Sequence, residues 1–117
     1  MGGSADLTSS NLTSLKCSGD FQKHTPEERY LRFGVREYDL AVNCNGLFAY
    51  GAVCPFCKNF LNFAGYALGS ICHSALSKFG VICIMNHDSI GLREDGPTHQ
   101  PIEMIGRMSS VQMTPMR

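Results

Sequence analysis

The sequence predicts an α/β fold, a mostly parallel sheet flanked by helices, and three observations carry that expectation. Short apolar runs alternate with segments whose apolar residues recur every three or four positions, in the order strand, helix, strand, helix, strand, helix. The run "GVICIMN" (80–86) is apolar and β-branched throughout, as in a strand covered on both faces. The length of 117 residues suits one compact core and not two domains, so residues 1–117 are read as one unit.

Each element has its own signal. Residues 1–24 are rich in Gly, Ser, Thr and Asn and read as loop or short turns. "TPEER" has helix-start chemistry, with Thr25 as N-cap and Glu28 placed to complete a capping box, so about one helical turn is expected. "YLRFGV" (30–35) alternates apolar and polar residues as a short strand does. From Glu37 the pattern turns helical, with Leu40, Cys44, Leu47 and Phe48 on one face, and "GAVCPF" (51–56) follows as a strand. The longest helix is expected over 60–79, with a stripe of Leu61, Ala64, Leu68, Ile71, Cys72, Ala75 and Phe79. A last helix is expected near 100–108, where Pro101 is tolerated in the first turn.

Composition narrows the function. Ten basic and ten acidic residues cancel, which removes the electrostatic footprint of a nucleic-acid or anionic-membrane binder. "MGGSADLTSS" has neither the basic nor the apolar region of a secretory signal. The most apolar stretch, "FLNFAGYALGSICHSALSKFG", is broken by Asn62, Ser70, His73, Ser74 and Ser77, so it reads as a buried helix and not a membrane span. Six cysteines lie mostly inside apolar segments, as free thiols do, and point to a reduced intracellular protein that is not secreted.

Two motifs carry chemistry. "HDSIGLREDGPTHQPIE" (87–103) gathers two histidines and four acids behind the apolar run 80–86. In parallel sheets ligands bind beyond the carboxyl ends of the strands, where this segment is expected, so His87, Asp95 and His99 are candidates for proton transfer and hydrogen bonding to a polyhydroxylated substrate. The histidines lack the short spacing of a zinc pair, so no metal site is assigned to this chain. "CPFC" (54–57) has redox-pair spacing ahead of a helix, which would lower the first thiol's pKa; two structural cysteines at a strand end is the plainer alternative. Glu37 suits a helix start whatever its function, and Phe60, Phe63 and Tyr66 are by spacing alone more often core than a cofactor pocket.

Taken together, "GGSADLTSSNLT", "GDFQKHTPEERYLRFGVRE", "FLNFAGYALGSICHSALS" and "HDSIGLREDGPTHQPIE" resemble the transketolase family, over its pyrimidine-binding domain, with a plant-type flavour in the second stretch. The resemblance implies thiamine diphosphate as cofactor and transfer of a two-carbon ketol unit from a ketose phosphate to an aldose phosphate, within a homodimer located in the cytoplasm or, if plant-type, the chloroplast. It matches Glu37 to the glutamate that hydrogen-bonds the aminopyrimidine ring, and Phe60, Phe63 and Tyr66 to the aromatics around that ring. Asp6 matches an aspartate near the cofactor, and Ser10 a serine that binds substrate phosphate. His87, Asp95 and His99 match residues that contact the sugar hydroxyls and assist proton transfers. The family holds the cofactor's diphosphate and a divalent metal, Mg or Ca, through a Gly-Asp-Gly…Asn pattern on another domain, and that pattern does not occur in these residues. The resemblance therefore implies a partial domain whose first strand has already ended, with a strand starting at "VQM". Departures are "YDLA" after Glu37, Arg93 in place of a glycine, Asn86 where threonine is common, and "CPFCKN", one residue shorter than its counterpart. Two alternatives stand beside this reading: a non-catalytic remnant or interaction module of the same fold, and a thiol redox protein using Cys54 and Cys57.

Overall fold

A computed structural model describes residues 1–87, 96–100 and 102–111. Among them, four parallel strands form one sheet in the order β2-β1-β3-β4: β1 (Gly2–Ser4), β2 (Tyr30–Arg32), β3 (Phe56–Phe60) and β4 (Ile82–Asn86). Three helices accompany it: α1 (Glu37–Tyr50), α2 (Ala64–Leu76) and α3 (Ile102–Ser110). The predicted α/β class with a parallel sheet holds.

The expected loop at residues 1–24 is corrected at its start. Gly2–Ser4 is a strand, and it lies inside the sheet, paired with β2 on one side and β3 on the other. The first strand is therefore present. It carried no periodic signal because two of its three residues have no side chain. Glycine is required there: a Cβ on Gly2 would stand 2.0 Å from the Phe56 carbonyl oxygen, and one on Gly3 1.9 Å from the Leu31 carbonyl oxygen.

Other boundaries move as well. "TPEER" forms turns and not a helix. Glu28 does not close a capping box; its carboxylate accepts from Ser18 Oγ and the Gly19 N–H, while Thr25 Oγ1 donates to the Asp20 carbonyl. The strand at 30–35 is confined to Tyr30–Arg32, followed by Gly34 at φ +61°. The strand expected at 51–56 runs instead over Phe56–Phe60, because Gly51, at φ +86°, caps α1 by donating its N–H to the Phe48 carbonyl. Phe60 consequently ends a strand, and a 3₁₀ turn at Leu61–Phe63 leads into α2. Helix α3 begins two residues later than expected; Pro101 and the "VQM" strand beyond Val111 lie outside the described residues.

All three helices pack on one face of the sheet. Cys57 and Cys83, in register on β3 and β4, point toward them. Leu40 and Cys44 of α1 join Ala5, Cys57 and Val81 in one cluster, while Ala41, Leu61, Ala64, Ala67, Ile71 and Met104 form another. The buried side of α2 is thus Ala64, Ala67, Ser70, Ile71 and Ser74, rotated from the expected stripe, of which Leu68, Cys72 and Ala75 are only half-buried. A polar network causes the rotation: Asn45 Nδ2 donates to the Ser70 carbonyl at 3.0 Å and to Ser70 Oγ at 3.1 Å, and Ser74 Oγ donates to Asn45 Oδ1. Buried polar groups must be paired, so this network fixes which sides of α1 and α2 meet.

On the other face, the segment between β1 and β2 covers those two strands. Thr13 Oγ1 and the Tyr30 hydroxyl lie 2.8 Å apart, the Tyr30 hydroxyl donates to Thr8 Oγ1 at 2.9 Å, and Asn11 Nδ2 donates to Ser4 Oγ at 2.6 Å. Strand β4 was expected to be covered on both sides, yet Ile82 and Ile84 are 48% and 40% exposed on this face. An apolar run shows that a strand suits burial; it cannot show what lies opposite.

The redox alternative fails on geometry. Cys54 is exposed before the strand, whereas Cys57 is buried within it, on the helix-facing side, and no helix begins at either. Cys57 Sγ lies 3.3 Å from Cys83 Sγ. A hydrogen bond with Cys44, then burial, pushes the Cys57 thiol up to about 12, the reverse of an activated thiol. Its bond to Cys57 and burial likewise push Cys83 up.

Two outcomes follow from this packing. Gly3→Ala should destabilise the protein by about 1–3 kcal/mol or prevent folding, read as a lowered denaturant midpoint. Near neutral pH, iodoacetamide should modify Cys17 and Cys54 while sparing Cys57 and Cys83. Because the folded state raises the Cys57 pKa from 9.0, its contribution to stability is complete below about pH 9 and is lost as pH rises toward 12.

Candidate functional site

The parallel sheet brings the carboxyl ends of all four strands to one edge. There Ala5–Thr13 leave β1, Phe60 ends β3 and His87 follows β4. Phe60 and Asn86 are register partners, so the two strands finish level. Asn59 Oδ1 accepts the Phe60 N–H at 2.9 Å, which tightens the strand end as the chain turns into the 3₁₀ segment.

Five rings meet at this edge. Phe60 stacks on Phe63 at 6.0 Å between centroids, and Phe63 on Tyr66 at 6.2 Å with only 14° between planes. His87 lies 3.7 Å from Phe60, centroid to centroid, at 33°. His99, in a 3₁₀ turn at Pro97–His99, meets Phe60 edge-on at 5.0 Å and Phe63 at 6.1 Å. The two imidazoles are 5.9 Å apart, on one side of the fold. Thr98 Oγ1 is hydrogen-bonded to His99 Nδ1 at 2.9 Å. His87 has φ +59°, a left-handed conformation uncommon for a residue with a side chain.

The rings differ in exposure. Phe60 is 4% exposed, Phe63 half-buried and Tyr66 69% exposed. The planes of Phe63 and Tyr66 are nearly parallel, and Phe60 contacts both histidines.

Glu37 opens α1 and is 9% exposed, and no donor among the described residues meets its carboxylate through an assigned hydrogen bond. One helical turn later, Ala41 packs against Leu61 and Ala64, the neighbours of Phe60 and Phe63. Beside Glu37, Tyr38 is half-exposed, and its ring passes 3.7 Å from where a Cβ on Gly69 would stand.

Asp6 and Ser10 are exposed in the loop after β1, with Asp6 at φ +63°. The Thr8 N–H donates to the Asp6 carbonyl at 2.9 Å and the Asn11 N–H to the Leu7 carbonyl at 2.7 Å, so the loop is a series of tight turns. Asp95 and Arg93 lie outside the described residues. Two residues of this edge were missed by sequence reasoning. Among the described residues, Asn86 Oδ1 is buried with no hydrogen-bond partner, and so is Asn11 Oδ1 beneath the first loop. Asparagine in a polar loop or at a strand end has no pattern that marks burial; the departure from threonine at 86 was the available signal.

Two grooves lie apart from the ring cluster. One of about 600 Å³ runs between α2 and α3 past Leu68, Cys72 and Arg107, and one of about 440 Å³ between α1 and α2 past Val42, Asn45 and His73. Neither contains a ring of the cluster. Convergent polar and aromatic groups mark the site better than groove size does. Among the described residues, no group of three or more His, Cys, Asp or Glu could hold a metal ion, and no helix is long and apolar enough to cross a membrane.

Comparison with known proteins agrees with this geometry. The family model for the transketolase pyrimidine-binding domain matches residues 1–115. The chloroplastic transketolase-1 of Arabidopsis thaliana is 56% identical over 117 residues, covering 99% of this chain and 16% of that protein. The crystal structure of a Leishmania mexicana transketolase superposes with TM-score 0.91 at 50% identity, over 95% of this chain and 17% of the other. A Pichia stipitis transketolase in complex with sedoheptulose 7-phosphate superposes with TM-score 0.88 at 47% identity, over the same shares. The chain thus spans about a sixth of the length of these relatives. It belongs to the transketolase family, as a segment of the pyrimidine-binding domain.

Proposed function

We propose that this chain supplies the pyrimidine- and sugar-binding half of a transketolase site, in a protein that moves a two-carbon ketol unit from a ketose phosphate to an aldose phosphate. The observation that carries the reading is the convergence of Phe60, Phe63, Tyr66, His87 and His99 at the carboxyl edge of the sheet. A buried carboxylate at the head of the neighbouring helix complements it.

The donor set fits thiamine diphosphate. Phe60, Phe63 and Tyr66, with nearly parallel planes, offer ring surface to an aromatic ring. The Glu37 carboxyl, without an assigned hydrogen bond among the described residues, offers one to a ring nitrogen. When bound, the cofactor supplies the carbanion stabilisation that carbon–carbon cleavage needs. Glu37 then fixes the orientation and protonation of the pyrimidine in a shielded setting. Asp6 would face the cofactor by family match, and Ser10 in the same loop would take the substrate phosphate. His87 and His99 reach the sugar hydroxyls with two ring nitrogens each, holding or moving protons at those oxygens, and Asp95 is assigned to the same hydroxyls. Diphosphate and a divalent cation, Mg or Ca, would be held by residues outside these 117, and the working unit would be a homodimer. The name of the Arabidopsis relative supports a chloroplast location, with the cytoplasm as the other option. Balanced charge supports the absence of a nucleic-acid partner.

In the full-length protein, Glu37→Gln should lower turnover by about 10²–10⁴-fold while cofactor affinity falls only modestly. Near-normal turnover would leave Glu37 a simple helix-start acid. His87→Ala and His99→Ala should reduce turnover or raise KM for the sugar phosphate, with thiamine diphosphate affinity, measured by fluorescence quenching, nearly unchanged. Loss of cofactor binding in either variant would remove the histidines from the substrate.

A further inference from the structure

Ser10 sits in a loop whose exposed side chains cannot hold its shape. Asp6 at φ +63° and Leu12 at φ +53° bracket it, two left-handed conformations at residues with side chains. Such conformations persist only where the surroundings over-determine them. Leu12 is 87% exposed, and Asp6 and Ser10 are exposed as well, so packing of these three does not fix the loop. The restraint comes from their neighbours. Asn11 is fully buried and donates through Nδ2 to Ser4 Oγ at 2.6 Å, which ties the residue after Ser10 to β1. The Tyr30 hydroxyl donates to Thr8 Oγ1 at 2.9 Å and lies 2.8 Å from Thr13 Oγ1. Because the tyrosine proton goes to Thr8, Thr13 donates to the tyrosine oxygen, and one phenol bridges the two shoulders of the loop. Tyr30 is buried at the start of β2, in register with Gly2, so the clamp is fixed to the sheet.

We propose that Tyr30 is a positioning residue for the substrate phosphate: its hydroxyl, by holding Thr8 and Thr13 together, sets where Ser10 presents its own hydroxyl. This rests on the reading that Ser10 takes that phosphate. Tyr30 acts through the loop and touches no substrate itself. The loop's own backbone bonds cannot replace it. The Asn11 N–H donates to the Leu7 carbonyl at 2.7 Å and the Thr13 N–H to the Thr8 carbonyl at 3.3 Å, which closes the turns but ties them to nothing outside the loop. Hydrogen bonds weaken steeply with distance and angle, so a donor on a loosened loop recognises a phosphate poorly. The phosphate lies away from the reacting carbon. A misplaced Ser10 therefore costs the substrate that carries a phosphate and spares one that does not.

The test uses the full-length protein, one donor at saturating concentration and two acceptors, an aldose phosphate and the same aldose without its phosphate. The ratio of their kcat/KM values measures the phosphate preference. Ser10→Ala should lower that ratio, which reads the contact itself. Tyr30→Phe removes one oxygen, keeps the ring, and should lower the ratio about tenfold, since small misplacements of binding groups are costly. Thr8→Val breaks the same link from the loop side and should do the same, so the question is answered even where the Tyr30 variant fails to fold. An unchanged ratio in the folded variants, or an equal loss with both acceptors, makes Tyr30 a structural residue only and overturns the proposal. Tyr30→Phe added to Ser10→Ala should change the ratio little beyond Ser10→Ala alone, because both act on one contact; full additivity overturns it. Amide hydrogen exchange separates this proposal from the reading beneath it. In Tyr30→Phe the Asn11 and Thr13 amides should exchange about tenfold faster or more while those of β1 and β2 keep their rates. No acceleration overturns the clamp whatever Ser10 does, whereas acceleration with an unchanged ratio in Ser10→Ala sinks the phosphate reading of Ser10 and leaves the clamp standing.

Discussion

Three residues, Gly2–Ser4, hold the two halves of the sheet together by pairing with β2 and β3 at once. The pairing demands backbones so close that carbonyl oxygens of both neighbours occupy the space a side chain would need. Everything at the site depends on it. With β1 in place all four strands run parallel, and the loop carrying Asp6 and Ser10, the end of β3 and the start of the histidine segment leave from one edge. An antiparallel arrangement would send half of those groups to the opposite end. The local hydrogen bonds that fold the first loop back onto Tyr30 and Ser4 then turn a common edge into a fixed geometry.

Parts of this were legible in the sequence for identifiable reasons. The helix at Glu37 could be read because an acid in the first turn and apolar residues at three- and four-residue spacing are both local signals. The trio Phe60, Phe63 and Tyr66 and the two histidines were legible as members of long motifs, and the structure brings all five rings together. What could not be read depends on long-range pairing. Gly2 and Gly3 have no side chains to form a pattern. The start of β3 was placed five residues early because "GAVCPF" is apolar, and only the Gly51 cap shows that the helix exit occupies it. The rotation of α2 comes from Asn45, Ser70 and Ser74, polar residues that count against burial until they find one another.

Burial also separates chemistry from its imitation. "CPFC" has the spacing of a redox pair, but a strand sends alternate side chains to opposite faces, and the pairing with β4 places Cys57 against Cys83 in the interior. The resulting thiols are stabilised as neutral groups, the wrong direction for nucleophiles. Glu37 is the contrasting case. It is nearly as enclosed, yet no side chain pairs with it through an assigned hydrogen bond among the described residues.

The end of β4 concentrates the costs that the rest of the fold offsets. A left-handed conformation at a residue with a side chain costs about 1–3 kcal/mol. The buried Asn86 Oδ1, without a partner among the described residues, costs about 1–3 kcal/mol more. A ring contact such as that between His87 and Phe60 contributes only about 0.5–1.5 kcal/mol, too little to offset both. The strand end is therefore less stable than its pairing with β3 alone would make it, and the pairing of five register positions with β3 holds it in place. Strain of this kind gathers where a side chain must face a ligand and not the core. Its location, between the last strand residue and the first histidine, sets the candidate segment apart from the scaffold that supports it.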